Sequence, residues 1–259
     1  MGVPTLAMGL LPTYAQIGIW APILLLLLRI VQGAAIGGEV PGAWVFVSEH
    51  VPAKHVGFAC GTLTAGLTAG ILLGSLTATL INSLFTPQEV LDWAWRLPFL
   101  LGGVFGLCAV YLRRMLQETP VFAEMQQRHA LAAELPLKTV LREHRGAIVL
   151  SMLLTWVLSA AIVVVILMTP TLLQTLYGFD AATALKANSL AIVFLSLGCV
   201  AAGAIVDRVG AGRVLLLGGL LLGVTSWTFY SSLKLHPEWL FPLYALTGLF
   251  VGTIGAVPF

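Results

Sequence analysis

The sequence predicts an all-α integral membrane protein, and three observations carry that expectation. Of 259 residues, 59% are hydrophobic and only 9% charged, at a mean hydropathy of +0.98; a water-soluble domain of this size carries about a quarter charged residues. Residues 1–28 contain no charge at all. Along the rest of the chain, apolar runs of membrane length alternate with short polar breaks. The net charge of +2 is too small to suggest a nucleic-acid partner. Cys60, Cys108 and Cys199 stand singly inside apolar segments, so neither a disulfide framework nor a metal site is expected.

Taken in order, the pattern predicts eight membrane segments. Residues 1–18 form part of the first, closing at a turn around Pro12, Thr13, Tyr14 and Gly18. The second runs over about 20–48 and stops at the polar break before Pro52, which cannot continue a helix. The third, about 57–84, carries Gly57, Gly61, Gly66, Gly70 and Gly74, mostly four apart, a bare face suited to close helix packing. A loop over about 85–96 holds Trp93 and Trp95, which suit the membrane interface. The fourth segment covers about 97–112. Residues 113–145 then make the one long polar stretch, and four further segments follow at about 147–177, 184–206, 213–233 and 239–259. No basic leader precedes the first segment, and both ends read as cut inside apolar runs.

The chemistry concentrates in the second segment. A helix entering the membrane near Trp20 carries Arg29 about 14 Å along its axis, near the middle of a hydrocarbon core about 30 Å thick. A charge at that depth is costly and belongs on a protein interior or a wet cavity. Gln32 and Glu39, seven residues apart, share a face with Arg29 about 60° to one side, and together they form a polar stripe. Gly33 and Gly37 lie beside it as a packing surface, as Gly66 and Gly70 do on the third segment. Glu39 is about 15 Å from Arg29 along the axis, too far for a direct pair.

Basic residues set the orientation. With 113–145 cytoplasmic, the breaks near Lys54 and near Arg208 and Arg213 fall on the same side, and these three loops hold nine of the thirteen Lys and Arg residues. That asymmetry obeys the positive-inside rule.

Several short motifs then align. Arg29, Gln32-Gly33, Gly37-Gly38-Glu39, Gly42 and Glu49 are followed by Trp95-Arg96-Leu97-Pro98-Phe99 and by Glu118-Thr119-Pro120. Gly203-Ala204-Ile205-Val206-Asp207-Arg208-Val209-Gly210 completes the set. In this order and spacing, across nearly the whole chain, they resemble the metabolite:proton symporter branch of the major facilitator superfamily, which is related to sugar porters. The resemblance implies a two-half helical bundle truncated at both ends, with the eight segments standing for helices three to ten of twelve. Residues 1–112 then represent the remainder of the N-terminal half, 113–145 the cytoplasmic linker and 146–259 part of the C-terminal half.

Roles follow from the same resemblance. Arg29 matches an arginine that commonly faces an acidic group on the first helix, where protonation of the acid couples proton entry to transport. Glu39 is a proton carrier, a cavity wall or an anchor for its helix, and Gln32 is a candidate hydrogen-bonding partner of substrate. Glu49, Glu118, Asp207 and Arg208 are candidates for a cytoplasmic charge latch. Trp156 and Asn188, with Thr155 and Gln174, are the candidate pathway groups of the second half. Two departures weaken the latch: Ala211-Gly212 stand where the family has a basic pair, and Val56 stands where it has arginine.

The implied function is secondary active transport by alternating access, a proton-coupled symport of a small metabolite, with an organic acid favoured because a guanidinium suits a carboxylate. A proton-independent facilitator and a non-transporting fragment are the alternatives. The expected partners are the lipid bilayer, protons and a small metabolite, with a monomeric protein, the proton as coupling ion and no cofactor. An intramembrane enzyme is disfavoured: all five histidines fall in the stretches read as loops, and neither H-E-x-x-H nor G-x-S-x-G occurs.

Overall fold

A computed structural model describes residues 2–115, 119, 120, 122, 124 and 136–256, and all regular structure among them is helical. The chain divides into two compact units, one of residues 1–46 and 74–118, the other of 47–73 and 119–259. This division departs from the expected halves at residues 47–73, which pack with the later helices for a reason given below.

In the first unit, α1 (Gly2–Gly9) is shorter than the 1–18 segment expected. After Pro12, a single turn α2 (Tyr14–Ile17) is capped through Thr13 and Gln16, and Gly18 at φ +56° reverses the chain. Helix α3 (Trp20–His50) has 31 residues, about 46 Å at ~1.5 Å per residue. It contains Pro41, which leaves the Gly37 carbonyl without its usual amide donor. Thr86 and Glu89 form a reciprocal cap on α5 (Pro87–Asp92), and the chain enters α6 (Leu97–Arg113) with Pro98 in the first turn, where a missing amide costs nothing. Helices α1 and α6 run antiparallel: Gly2 meets Gly106, Leu6 meets Gly103, and Gly9 meets Phe99 and Leu100. A Cβ at Gly2 would stand 3.0 Å from the Gly106 Cα, so the backbones nearly touch.

Helix α4 (Val56–Leu84) follows the break at Pro52. Its first five turns, residues 56–73, belong to the second unit and lie antiparallel to α10 (Ala181–Val209). Gly57 faces Gly203, Gly61 faces Cys199 and Gly203, and the Thr68 and Ser196 hydroxyls bond at 2.7 Å. Lipid supplies no hydrophobic drive for helices to associate, so close backbone approach and interhelical hydrogen bonds do that work. This glycine seam is why residues 47–73 join the second unit.

The second unit also contains α7 (Pro136–Glu143), α8 (Arg145–Ala161), a π-helical stretch Ile162–Met168, and α9 (Thr169–Thr175). The run Arg145–Thr175 is therefore one apolar helix with a wide turn inside it. Helices α11 (Ala211–Ser232) and α12 (Leu240–Gly255) complete the unit. Helices α10 and α12 run parallel, with Ala191 against Gly248, Leu195 against Gly252 and Gly198 against Leu249. Around them Ile166, Leu173, Ile192, Phe229 and Tyr244 form the fully buried core.

Among the described residues, six helices are long and apolar enough to cross a membrane: Trp20–His50, Ala53–Leu84, Ala94–Arg113, Arg145–Thr175, Ala181–Val209 and Ala211–Ser232. The packing glycines need correction. Gly33, Gly37, Gly66 and Gly70 have no neighbouring atom within 4 Å of where a Cβ would stand, whereas Gly57, Gly61, Gly248 and Gly252 are in tight contact. Spacing of four marks a face on which a helix can be approached closely; it does not say which helix in the chain approaches it.

Candidate transport pathway and latch

The polar stripe of α3 forms as its spacing requires. Arg29 Nη1 donates to Gln32 Oε1 at 3.1 Å, and Gln32 Nε2 donates to the Thr5 hydroxyl of α1 at 3.1 Å. The result is a three-residue chain of hydrogen bonds in apolar surroundings. Arginine has five N–H donors, and Arg29 uses one of them among the described residues. It is exposed, so the remaining donors face open space.

Glu39 takes a partner the sequence did not suggest. It is ion-paired with Arg113, in the last turn of α6. Of the three roles open to it, this contact fits the anchor most directly, since it ties α3 to α6. Arg96 is held at another point of the same unit, donating to the Leu11 carbonyl at 3.0 Å with its guanidinium over the Trp95 ring.

The latch candidates separate. Asp207, in the last turn of α10, accepts from the Gly57 amide at 2.6 Å and the Phe58 amide at 2.9 Å. Both amides belong to the first turn of α4, where backbone N–H groups have no partner inside the helix and the helix dipole favours negative charge. Gly57 is needed because a Cβ there would stand 2.6 Å from the Gly203 carbonyl oxygen and 2.7 Å from the Asp207 carboxylate. Gly210 serves differently: nothing crowds it, but its φ of +94° lets α10 end and α11 begin with one residue between them. Arg208 is exposed, and neither it nor Glu49 pairs with another described residue. Glu118 lies outside the described residues.

With this geometry in place, comparison with known proteins decides the family. The family model described as Major Facilitator Superfamily matches residues 1–259. The chain belongs to the major facilitator superfamily. A putative proline/betaine transporter of Staphylococcus aureus (strain COL) is 31% identical over 238 residues, 92% of this chain and 51% of the relative. The glycine betaine/proline/ectoine/pipecolic acid transporter OusA of Dickeya dadantii is 44% identical over 124 residues, 48% of this chain and 25% of that one. Among solved structures, the proton:xylose symporter XylE bound to 6-bromo-6-deoxy-D-glucose superposes with a TM-score of 0.71 at 16% identity, over 99% of this chain and 64% of that chain. That likeness establishes the fold. The chain spans about half the length of the first of these relatives. It is a multi-pass membrane chain of a transporter superfamily, not of an enzyme family.

The superfamily fold gives α8 particular interest. Ser151, Thr155 and Ser159 lie four residues apart and, with Trp156, line an open groove of about 560 Å³. Trp156 is 73% exposed. The sequence reading selected Thr155 and Trp156 and missed the two serines, although the interval of four was the available signal. Asn188 is placed otherwise: it is 6% exposed, and its Oδ1 accepts from the Tyr244 hydroxyl at 2.6 Å. Tyr244 also lies 2.7 Å from the Val165 carbonyl in the π-helical stretch, and Thr169, the first residue of α9, bonds the Tyr230 hydroxyl at 2.6 Å. Gln174 donates to the Pro170 carbonyl of its own helix at 3.0 Å.

Proposed function

We propose that this chain works in a proton-coupled secondary transporter of small carboxylate-bearing solutes, most specifically compact zwitterions of the proline and betaine kind. The observation that carries the reading is the Arg29–Gln32–Thr5 chain, an arginine held at membrane depth with donors to spare. A guanidinium fork matches a carboxylate in charge and geometry. The names of the bacterial relatives support a zwitterionic rather than a sugar substrate. Proton coupling is the sequence expectation carried forward. An acid close to Arg29 would have its carboxyl pKa held down, and displacement of that arginine by substrate would free the acid to take up a proton.

Two further assignments belong to this reading. The hydroxyl stripe of α8 with Trp156 serves as the pathway face of the second unit, while Asn188 instead orients Tyr244 inside the helix packing. Asp207 acts as the latch, its carboxylate holding the start of α4 through two backbone amides. With Val56 in the arginine position, the latch is a carboxylate on a helix end and not a charge pair.

The test is uptake of radiolabelled proline and glycine betaine by cells that lack their own carriers, with and without a protonophore. Accumulation above the external concentration that collapses with the proton gradient supports the proposal. Equilibration unaffected by the protonophore would identify a facilitator, and uptake unchanged in Arg29→Ala would remove Arg29 from the mechanism.

A further inference from the structure

Helix α7 is amphipathic, unlike the membrane-length apolar helices. In its eight residues, Pro-Leu-Lys-Thr-Val-Leu-Arg-Glu, positions 137, 140 and 141 are apolar and fall at i, i+3 and i+4. On a helix of 3.6 residues per turn they make one face. Positions 138 and 142, Lys and Arg, fall together along one edge of that face. Val140 is 41% exposed and Leu141 52% exposed, so the apolar face meets water or something outside the chain.

The neighbouring residue fixes where this face lies. His144, at φ −120° and ψ 35°, is the single non-helical residue between α7 and α8. Arg145 opens the membrane-length run Arg145–Thr175 and reaches back to donate from Nε to the Leu141 carbonyl at 3.1 Å. That bond closes the C-terminal end of α7, where a cation also suits the helix dipole. An eight-residue helix is about 12 Å long, so all of α7 stays close to the level at which α8 enters the lipid. Between Pro136 and Arg145 there are three basic residues, Lys138, Arg142 and Arg145, against one acidic residue, Glu143.

We infer that α7 docks on an anionic lipid surface, with Val140 and Leu141 in the acyl boundary and Arg142 and Arg145 at the headgroup phosphates. The occupant follows from charge and shape together. A short helix with an apolar face and a basic edge is built to lie in a bilayer interface, and basic residues beside a membrane helix draw anionic lipid headgroups. A helix that docked on protein would not need the basic edge beside a membrane entry point.

Hydrogen–deuterium exchange on the intact chain in nanodiscs tests this. One set of discs is pure phosphatidylcholine and the other contains phosphatidylglycerol. Amides of residues 138–144 should exchange about tenfold more slowly in the anionic discs, an order of magnitude set by a few headgroup contacts. High salt should remove the difference by screening. Arg142→Gln should reduce it, and Val140→Ser with Leu141→Ser should abolish it. Peptides from α10 report folding in every sample and should exchange identically throughout. Equal exchange of 138–144 in the two lipids would overturn the inference, whether fast in both, meaning a free helix, or slow in both, meaning a helix packed on protein.

Discussion

The Arg29–Gln32–Thr5 chain of the first unit and the Tyr244–Asn188–Val165 cluster of the second both hold polar groups within apolar helices, but their hydrogen-bonding capacity differs. Tyr244 is fully buried and has one proton, with Asn188 Oδ1 and the Val165 carbonyl both within reach. Its ring stacks on Phe229 at 5.0 Å. The one hydroxyl proton of Tyr244 is thus spent on holding α10, α12 and the π-helical stretch together. Arg29 spends one donor on Gln32 and presents the rest to open space. A polar group on a membrane helix is thus informative about function only once its unused capacity is known. Depth and residue type alone do not separate the two cases.

The contrast can be broken most severely at Arg29. Arg29→Ala should lower proton-driven uptake by at least about 100-fold, the scale of removing one charge-assisted contact of roughly 3 kcal/mol. Tyr244→Phe should leave uptake measurable. A comparable loss of uptake from Tyr244→Phe at unchanged stability would erase the distinction.

Glycines sharpen it next. Gly248→Val in α12 would drive a side chain into the Ala191 backbone of α10, where no flexible end can yield. Overpacking of this kind costs about 1–3 kcal/mol, seen as a lower unfolding temperature in detergent. Gly37→Ala meets nothing within 4 Å and should be neutral or stabilising by up to about 1 kcal/mol. Tyr244→Phe itself should cost about 0.6 kcal/mol, the mean for a side-chain hydrogen bond between membrane helices.

The smallest effect concerns a cap outside the membrane. Asp180 accepts from the Thr183 amide at 2.9 Å, and that hydrogen bonding holds its carboxyl below the ordinary aspartate value. A folded-state pKa lowered in this way gives stability that is present above the unfolded value and lost as pH falls through the folded one. Protection of the first turn of α10 should therefore decline on acidification below about pH 4. Asp180→Asn should remove that pH dependence while keeping a neutral cap. Unchanged acid sensitivity of those amides in Asp180→Asn would show that another group governs it.

How much of this was legible in the sequence depended on distance along the chain. The break at Pro52, the turn at Gly210 and the shared face of Arg29 and Gln32 are local, fixed by backbone chemistry and helical period. The pair between Glu39 and Arg113 is not local, because an ion pair between two helices leaves no periodic trace in either. The glycines show the same limit from the other side: Gly57 and Gly66 look alike in sequence, and only Gly57 has α10 against it. The π-helical stretch within Ile162–Met168 was invisible because its Ile-Val-Val-Val-Ile-Leu-Met run suits any buried helix. Asp207 was legible as a residue of interest, while its two amide partners, about 150 positions earlier, were not.

Gly210 leaves no slack between α10 and α11. A longer loop would absorb a shift of one helix before the next felt it. Here a displacement of the α10 end by an ångström is handed directly to the α11 start, and the carboxylate of Asp207 sits less than one turn upstream of that junction. Release of the α4 amides and a push on α11 are therefore a single mechanical event. Inserting two or three flexible residues beside Gly210 would uncouple them without touching either set of contacts.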